Sequence, residues 1–307
     1  MSEGKYFREA LSLLLSGRRK EAAAKLLPLY EHAISKHFRI QVIDALLSAL
    51  NPIQDNQKLV ELASEGIGLA NELGTTNFKA HFMSRKADLL MRRVDSYQYQ
   101  RASLKLIPDW FVFSLEIDKN KYENLTKAVE GLEIDIEKLL ADALALAQAT
   151  GDKKVLAFIL MSKASIGFSH FMHYKMGFLR DSGKAKLSLF LHKLGFEIPI
   201  LFGYKYYRSL RLYVNSFSAN LLAAARLFKE IDDEQAAFAY FDLAICLRSA
   251  YRFRGAIKYL RKAEDAAKLR NNTLLLAQIR ALKKSIWARN RDVPDYLEGE
   301  AREEITI

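Results

Sequence analysis

The sequence predicts an all-α fold, and three observations support that class. First, only five prolines and fourteen glycines interrupt 307 residues, which is few for a chain rich in turns or strands. Second, 50% of the residues are apolar and 27% are charged, an ordinary balance for a globular protein, and the prominent residue types favour helices. Third, the chain repeats one helix–turn–helix pattern.

The repeat is clearest in two segments that lie 77 residues apart. Residues 69–89 read LANELGTTNFKAHFMSRKADL, and residues 146–166 read LAQATGDKKVLAFILMSKASI. Each reads as the end of one helix, a short turn at a glycine and the start of another helix. The same residue recurs at the same offset in six pairs: Leu62/Leu139, Ala70/Ala147, Gly74/Gly151, Ala80/Ala157, Lys86/Lys163 and Ala87/Ala164.

A third copy, residues 225–247, follows at an offset of 80 residues and places its turn near Asp232. Its Ala237, Phe238 and Ala244 match Ala157, Phe158 and Ala164. A fourth turn is predicted near Asn271, and intermediate turns near His37, Pro108 and Gly195 complete a spacing of about forty residues.

Periods of this length are typical of helical solenoids, in which each helix pair buries its apolar surface against its neighbours. Alanine would recur where two helices cross closely, because a larger side chain would force their axes apart. We therefore expect residues 1–291 to form an α-solenoid of about seven antiparallel helix pairs. A generic antiparallel helical bundle is the alternative.

The last third of the chain resembles a known family. Eight residues fall at the spacings of a tetratricopeptide repeat: Tyr240, Leu243, Ala244, Leu247, Phe253, Ala256, Leu260 and Ala263. The chain resembles the tetratricopeptide-repeat-like (TPR-like) superfamily, most clearly over residues 225–290 and more weakly over 59–91 and 139–168. The resemblance implies a right-handed solenoid whose first helices line a concave groove for a peptide or protein, with Phe238, Phe241, Ile245 and Arg248 at groove positions.

Charge is distributed unevenly along the chain. Residues 1–150 hold 20 basic and 20 acidic residues, whereas residues 151–291 hold 26 basic and 10 acidic ones. The solenoid could accordingly consist of a neutral lobe and a basic lobe. Residues 292–307 hold one basic and six acidic residues, and this composition predicts a flexible acidic tail.

The basic half contains a candidate binding face. On a helix that begins near Tyr204, Lys205, Arg208 and Arg211 follow at three-residue steps and share one face, while Tyr206, Tyr213 and Phe217 mark a different, buried face. The cationic face could bind an acidic protein segment, follow a nucleic-acid backbone, contact anionic lipid or remain solvated. We expect a non-enzymatic protein-binding module, scaffold or regulatory subunit, with nucleic-acid binding through residues 151–291 as the alternative.

Sequence motifs of catalysis are missing. The chain has no GxxxxGK[ST] loop, no HExxH and no CxxC, so we expect neither an enzyme nor a bound cofactor. His170 and His173 stand one helical turn apart, but two ligands are too few for a metal site.

The single cysteine, Cys246, excludes an intramolecular disulfide and favours a reducing, cytoplasmic compartment. We expect it to be buried. We expect no membrane-spanning segment either, because residues 187–207, the strongest candidate, contain Lys193, Glu197 and Lys205.

Overall fold

The structure, a computed structural model, describes residues 3–104, 115–181, 204–250 and 252–287. Every regular element in these ranges is an α-helix, and the predicted all-α class is confirmed. The helices are α1 (Glu3–Leu15), α2 (Arg19–His32), α3 (Lys36–Ala49), α4 (Asn56–Glu72), α5 (Thr76–Leu104), α6 (Leu115–Thr150), α7 (Lys153–Asp181), α8 (Tyr204–Glu230), α9 (Gln235–Ser249), α10 (Phe253–Leu269) and α11 (Thr273–Trp287).

Helices pack against their neighbours along the chain, in two compact units. In unit 1, residues 1–155, helices α1 to α6 pack consecutively, and α1 also contacts α3. In unit 2, residues 156–307, helices α8 to α11 pack consecutively, and α9 also contacts α11. Contacts between helices two apart are what stacked hairpins produce, so the packing within each unit is compatible with a helical repeat.

The helices differ greatly in length. Helices α5, α6, α7 and α8 have 29, 36, 29 and 27 residues, whereas α9 and α10 have 15 and 17. In the middle of the chain, one long helix therefore occupies an interval of about forty residues in which the sequence predicted a pair of helices. The predicted turns near Pro108 and Gly195 lie outside the described residues, and His37 lies in the first turn of α3.

The four turns that the repeat predicted most clearly share a left-handed residue. The φ angles are 64° at Gly74, 69° at Gly151, 53° at Asp232 and 52° at Asn271. At three of these turns the next N–H donates to a carbonyl five residues back, which closes the helix with a Schellman motif. These bonds are Thr75 N–H to Ala70 O (2.9 Å), Asp233 N–H to Phe228 O (2.8 Å) and Asn272 N–H to Ala267 O (3.0 Å).

The residue after the left-handed position then caps the following helix. Asp152 Oδ1 accepts the N–H groups of Lys154 and Val155 at 2.9 and 3.0 Å. Two more side-chain oxygens do the same at later turns: Asp233 Oδ1 accepts from Gln235 N–H (2.9 Å) and Asn272 Oδ1 from Leu275 N–H (3.0 Å). A dipeptide that stops one helix and starts another explains why the turns repeat in the sequence.

The repeated alanines lie in the core, as the sequence predicted. None of the eight is more than 4% exposed: Ala70, Ala80, Ala87, Ala147, Ala157, Ala164, Ala237 and Ala244. In unit 2, large apolar side chains complete the core, and Phe217 of α8 contacts the rings of Phe168 and Phe171 of α7 with centroids 5.7 and 5.9 Å apart. The small side chains thus allow neighbouring helices to approach, and the aromatic ones fill the spaces between them.

Among the described helices, only α7 is long and apolar enough to cross a membrane, judged by length and composition alone. The stretch is Lys153–Tyr174, and 33% of its most apolar part is buried inside the protein. The core helix of a soluble protein passes the same test, and α7 does supply rings to the core of unit 2. The stretch differs from residues 187–207, the strongest candidate in the sequence, most of which lies outside the described residues.

Candidate partner-binding surface

Helix α8 carries the three predicted cationic residues near its start. The side chain of Arg211 is exposed, and those of Lys205 and Arg208 lie outside the described residues. On the face that the sequence predicted to be buried, Phe217 is fully buried and Tyr213 is half-buried. The structure therefore places one of the three cations, Arg211, at the surface. That all three share one exposed face stays a prediction.

The predicted groove on α9 requires a correction. Phe241 is only 5% exposed and belongs to the core of unit 2, so it is not available to a partner. Phe238 and Ile245 are half-buried and pack against the same core, and Arg248 is half-buried as well. Helix α9 contacts α8, α10 and α11, and these neighbours cover side chains that the family spacing alone would place in a groove.

A cluster that sequence reasoning did not select lies beside these residues, on α9 and α10. Tyr240 and Tyr259 stack with their ring centroids 6.2 Å apart and an interplanar angle of 14°. Lys262 Nζ lies 5.5 and 5.4 Å from the two centroids, and Lys258 Nζ lies 5.9 Å from that of Tyr259. We call these four residues the Tyr–Lys cluster. The sequence indicates this cluster only through Lys258 and Lys262, which lie one helical turn apart beside Tyr259.

The surface around this cluster is basic. Arg254, Lys258, Arg261 and Lys262 are all exposed on α10, and Asp265 is the exposed acidic residue of that helix. Among the described side chains of unit 2, thirteen exposed residues are basic and four are acidic. The basic ones are Lys163, Arg211, Arg226, Lys229, Arg252, Arg254, Lys258, Arg261, Lys262, Lys268, Arg270, Arg280 and Lys284, and the acidic ones are Glu230, Asp232, Glu234 and Asp265.

An ion-pair network and a separate ion pair connect helices and turns of unit 2 and use some of these charges. Glu264 of α10 pairs with Lys283 of α11 and with Lys268, the latter at 3.2 Å. The hydrogen bond from Lys283 is the main reason that the pKa of Glu264 lies below its usual value; burial opposes the shift, and Lys268 adds to it. Arg270 donates to Asp232 O at 2.6 Å and pairs with its carboxylate at 2.5 Å. This pair joins the turn before α9 to the turn after α10.

The groups capable of other chemistry are placed as follows. Cys246 is buried, as predicted, and burial raises the pKa of its thiol well above the usual value, which suppresses thiolate reactivity. His170 and His173 are both half-buried on α7. In the part of the chain whose coordinates are described, no group of three or more His, Cys, Asp and Glu side chains could hold a metal ion.

Comparison with models of known protein families found none that matches this chain, and a search of curated proteins found no match either.

Proposed function

We propose that this chain is a TPR-like helical-repeat protein that acts as a non-enzymatic interaction module and binds an acidic protein or peptide partner. In this proposal the stacked hairpins form a right-handed α-solenoid, and the basic half supplies the binding surface. The observation that carries the proposal is the excess of exposed basic over acidic side chains in unit 2, thirteen against four.

The packing supports the repeat part of the proposal. Consecutive helices pack in both units, contacts reach two helices ahead at α1–α3 and α9–α11, and ion pairs or hydrogen bonds connect alternate turns along the chain. Arg270 binds Asp232, and Asn77 donates to Asp152 Oδ2 at 2.9 Å. Turns that bond to one another lie at the same end of adjacent hairpins, as they do in a stacked array.

The charge pattern also supports a second candidate, binding of a nucleic-acid backbone. Exposed cations attract phosphates and carboxylates alike, but the two complexes differ in salt dependence. Each phosphate contact releases condensed counterions, so a nucleic-acid complex with many contacts weakens by orders of magnitude over a few-fold rise in salt. A complex with a protein that also buries apolar surface keeps more of its affinity.

The test is affinity capture with the full chain from an extract of its native cells, at low and high salt and with or without nuclease. Proteins retained after nuclease treatment are identified, purified and titrated against the chain by calorimetry. We expect direct binding of at least one purified protein with an acidic segment. Capture of nucleic acid alone, with every protein lost after nuclease treatment, would contradict the proposal and favour the second candidate.

A further inference from the structure

We propose that the Tyr–Lys cluster is the site that receives the acidic segment, and that it binds the carboxylates of Glu and Asp side chains in an extended peptide. This inference rests on the proposed function and gives it a location. The site spans both helices of the α9–α10 hairpin, with Tyr240 on the first helix and Lys258, Tyr259 and Lys262 on the second. It therefore differs from the groove positions expected on α9 alone.

The two ammonium groups are held in place without being neutralised. Lys262 lies over both tyrosine rings and Lys258 over one, and within the described chain neither lysine pairs with a carboxylate. A cation over an aromatic ring is attracted by the ring quadrupole but keeps its three N–H donors available. Because the rings already restrict the lysines, binding a carboxylate loses less side-chain entropy than it would at an unsupported lysine.

The neighbouring charges favour the same ligand. Arg254 lies one helical turn before Lys258, and Arg261 precedes Lys262, so four of the five exposed cations of α10 lie between residues 254 and 262, and Asp265 is the single exposed carboxylate of that helix. Such a surface raises the local concentration of an acidic segment and accelerates its association. The carboxylate of Glu264, which could have neutralised these cations, is bound instead to Lys268 and Lys283.

The geometry of the rings favours a peptide over single-stranded nucleic acid. Proteins that bind single strands stack bases on open aromatic faces. Here the tyrosines stack on each other, and ammonium groups lie over their faces, so an incoming base would have to displace a lysine. A carboxylate needs only the ammonium groups, and the tyrosine edges remain for apolar contact with the adjacent side chains of the peptide.

The experiment uses a fluorescein-labelled sixteen-residue peptide of alternating Glu and Leu, titrated against the full chain, with the Gln and Leu peptide of equal length as the neutral probe. We expect the double variant Lys258→Gln/Lys262→Gln to lose about tenfold in affinity for the Glu peptide. The double variant Arg280→Gln/Lys284→Gln removes the same two charges from exposed positions on α11, and we expect it to lose less than about twofold. Equal losses in the two variants would show a diffuse charge effect and overturn the site.

A second variant and a chemical readout locate the contact independently of net charge. Tyr259→Leu keeps the charge and an apolar side chain but removes the ring that positions the lysines, and we expect an affinity loss of about threefold. Carbodiimide coupling of the bound Glu peptide should give amide adducts at Lys258 and Lys262, read by mass spectrometry, in clear excess over Lys284. Even labelling of the surface lysines, or unchanged affinity of Tyr259→Leu, would overturn the proposal.

Two further outcomes distinguish a failure of this site from a failure of the proposed function. If a purified partner binds the Lys258→Gln/Lys262→Gln variant as tightly as the wild type, the site is wrong and the proposed function stands. A sixteen-nucleotide oligo-dT serves as the competing anion. If it binds more tightly than the Glu peptide and loses affinity in Tyr259→Leu, the cluster is a nucleic-acid site and the peptide proposal fails.

Discussion

Gly66 of α4 lies directly against the ring of Phe82 of α5. A Cβ atom at residue 66 would come within 2.9 Å of two ring atoms, closer than carbon atoms approach in folded proteins. Phe82 is fully buried, so its ring could move away only by displacing other core atoms or filling an internal void. Glycine is required at this crossing because it has no side chain, and not because its backbone is free to adopt unusual angles.

We predict that Gly66→Ala lowers the free energy of unfolding by about 1–3 kcal/mol, the usual cost of overpacking a core. Gly68→Ala is the matched control, because it is exposed on the same helix and its Cβ would meet no atom within 4 Å. Alanine has the higher helix propensity, so the control should raise stability by about 0.5–1 kcal/mol. Urea denaturation followed by circular dichroism measures both, and equal effects would refute the close contact.

At the scale of elements, the turns depend on residues that adopt a left-handed conformation. A Cβ at Gly151 would meet no atom within 4 Å, but its φ is 69°, so Gly151→Ala should cost about 1 kcal/mol through backbone strain alone. Asn271 has a similar φ of 52°, and Asn271→Gly should leave stability unchanged or raise it slightly. Thermal melts of the two variants test whether Gly151→Ala lowers the melting temperature while Asn271→Gly does not. A destabilised Asn271→Gly would indicate that the asparagine side chain has a role of its own.

The contact between α10 and α11 should depend on pH through Glu264. Its pKa is lowered in the folded protein, mainly by the hydrogen bond from Lys283. A carboxyl group whose pKa is lowered on folding stabilises the protein above its unfolded pKa, about 4.3 for Glu, and this stabilisation is lost as the pH falls through the folded value.

We therefore predict that Glu264→Gln lowers stability by about 1 kcal/mol at pH 7 and that the difference from the wild type is smaller at pH 3, below the ordinary pKa of about 4.3. Asp265→Asn, at the adjacent exposed residue, should have little effect at either pH. Chemical denaturation across this pH range measures the difference. A constant difference down to pH 3 would mean that Glu264 acts through packing and not through charge.

At the scale of the whole molecule, the acidic residues of segment 292–307 offset part of the positive charge of the chain. The chain carries a formal net charge of +11. Residues 292–307 contribute one basic and six acidic residues, so their deletion would raise the net charge to +16. The acidic segment thus weakens the attraction that the basic surface exerts on an acidic ligand.

We predict that deletion of residues 292–307 increases affinity for the Glu peptide several-fold at low ionic strength, and that the increase disappears near 0.5 M salt because screening shortens electrostatic interactions to a few ångströms. Fluorescence titration at two salt concentrations measures the effect. As the control, an equally long neutral tag is added to the chain and then deleted. Unchanged affinity at low salt would show that the acidic segment does not compete with an acidic ligand.

Local signals in the sequence were enough to predict the all-α class, four turns and the burial of the repeated alanines. These features follow from backbone chemistry over a few residues: a left-handed stop such as Gly151, a capping side chain such as Asp152, and an alanine such as Ala164 where helices meet. Their spacing alone could not distinguish one long helix from a short pair. As a result, the interval that contains α6 was predicted to hold two helices.

Tertiary contacts decided which side chains remain available to a partner. The groove position of Phe241 depended on which helices cover α9, and the Tyr–Lys cluster unites Tyr240 with residues some twenty positions later in the chain. Burial and stacking between helices depend on the angle and register at which whole helices pack, and those are determined by the sum of many weak contacts that no short stretch of sequence contains.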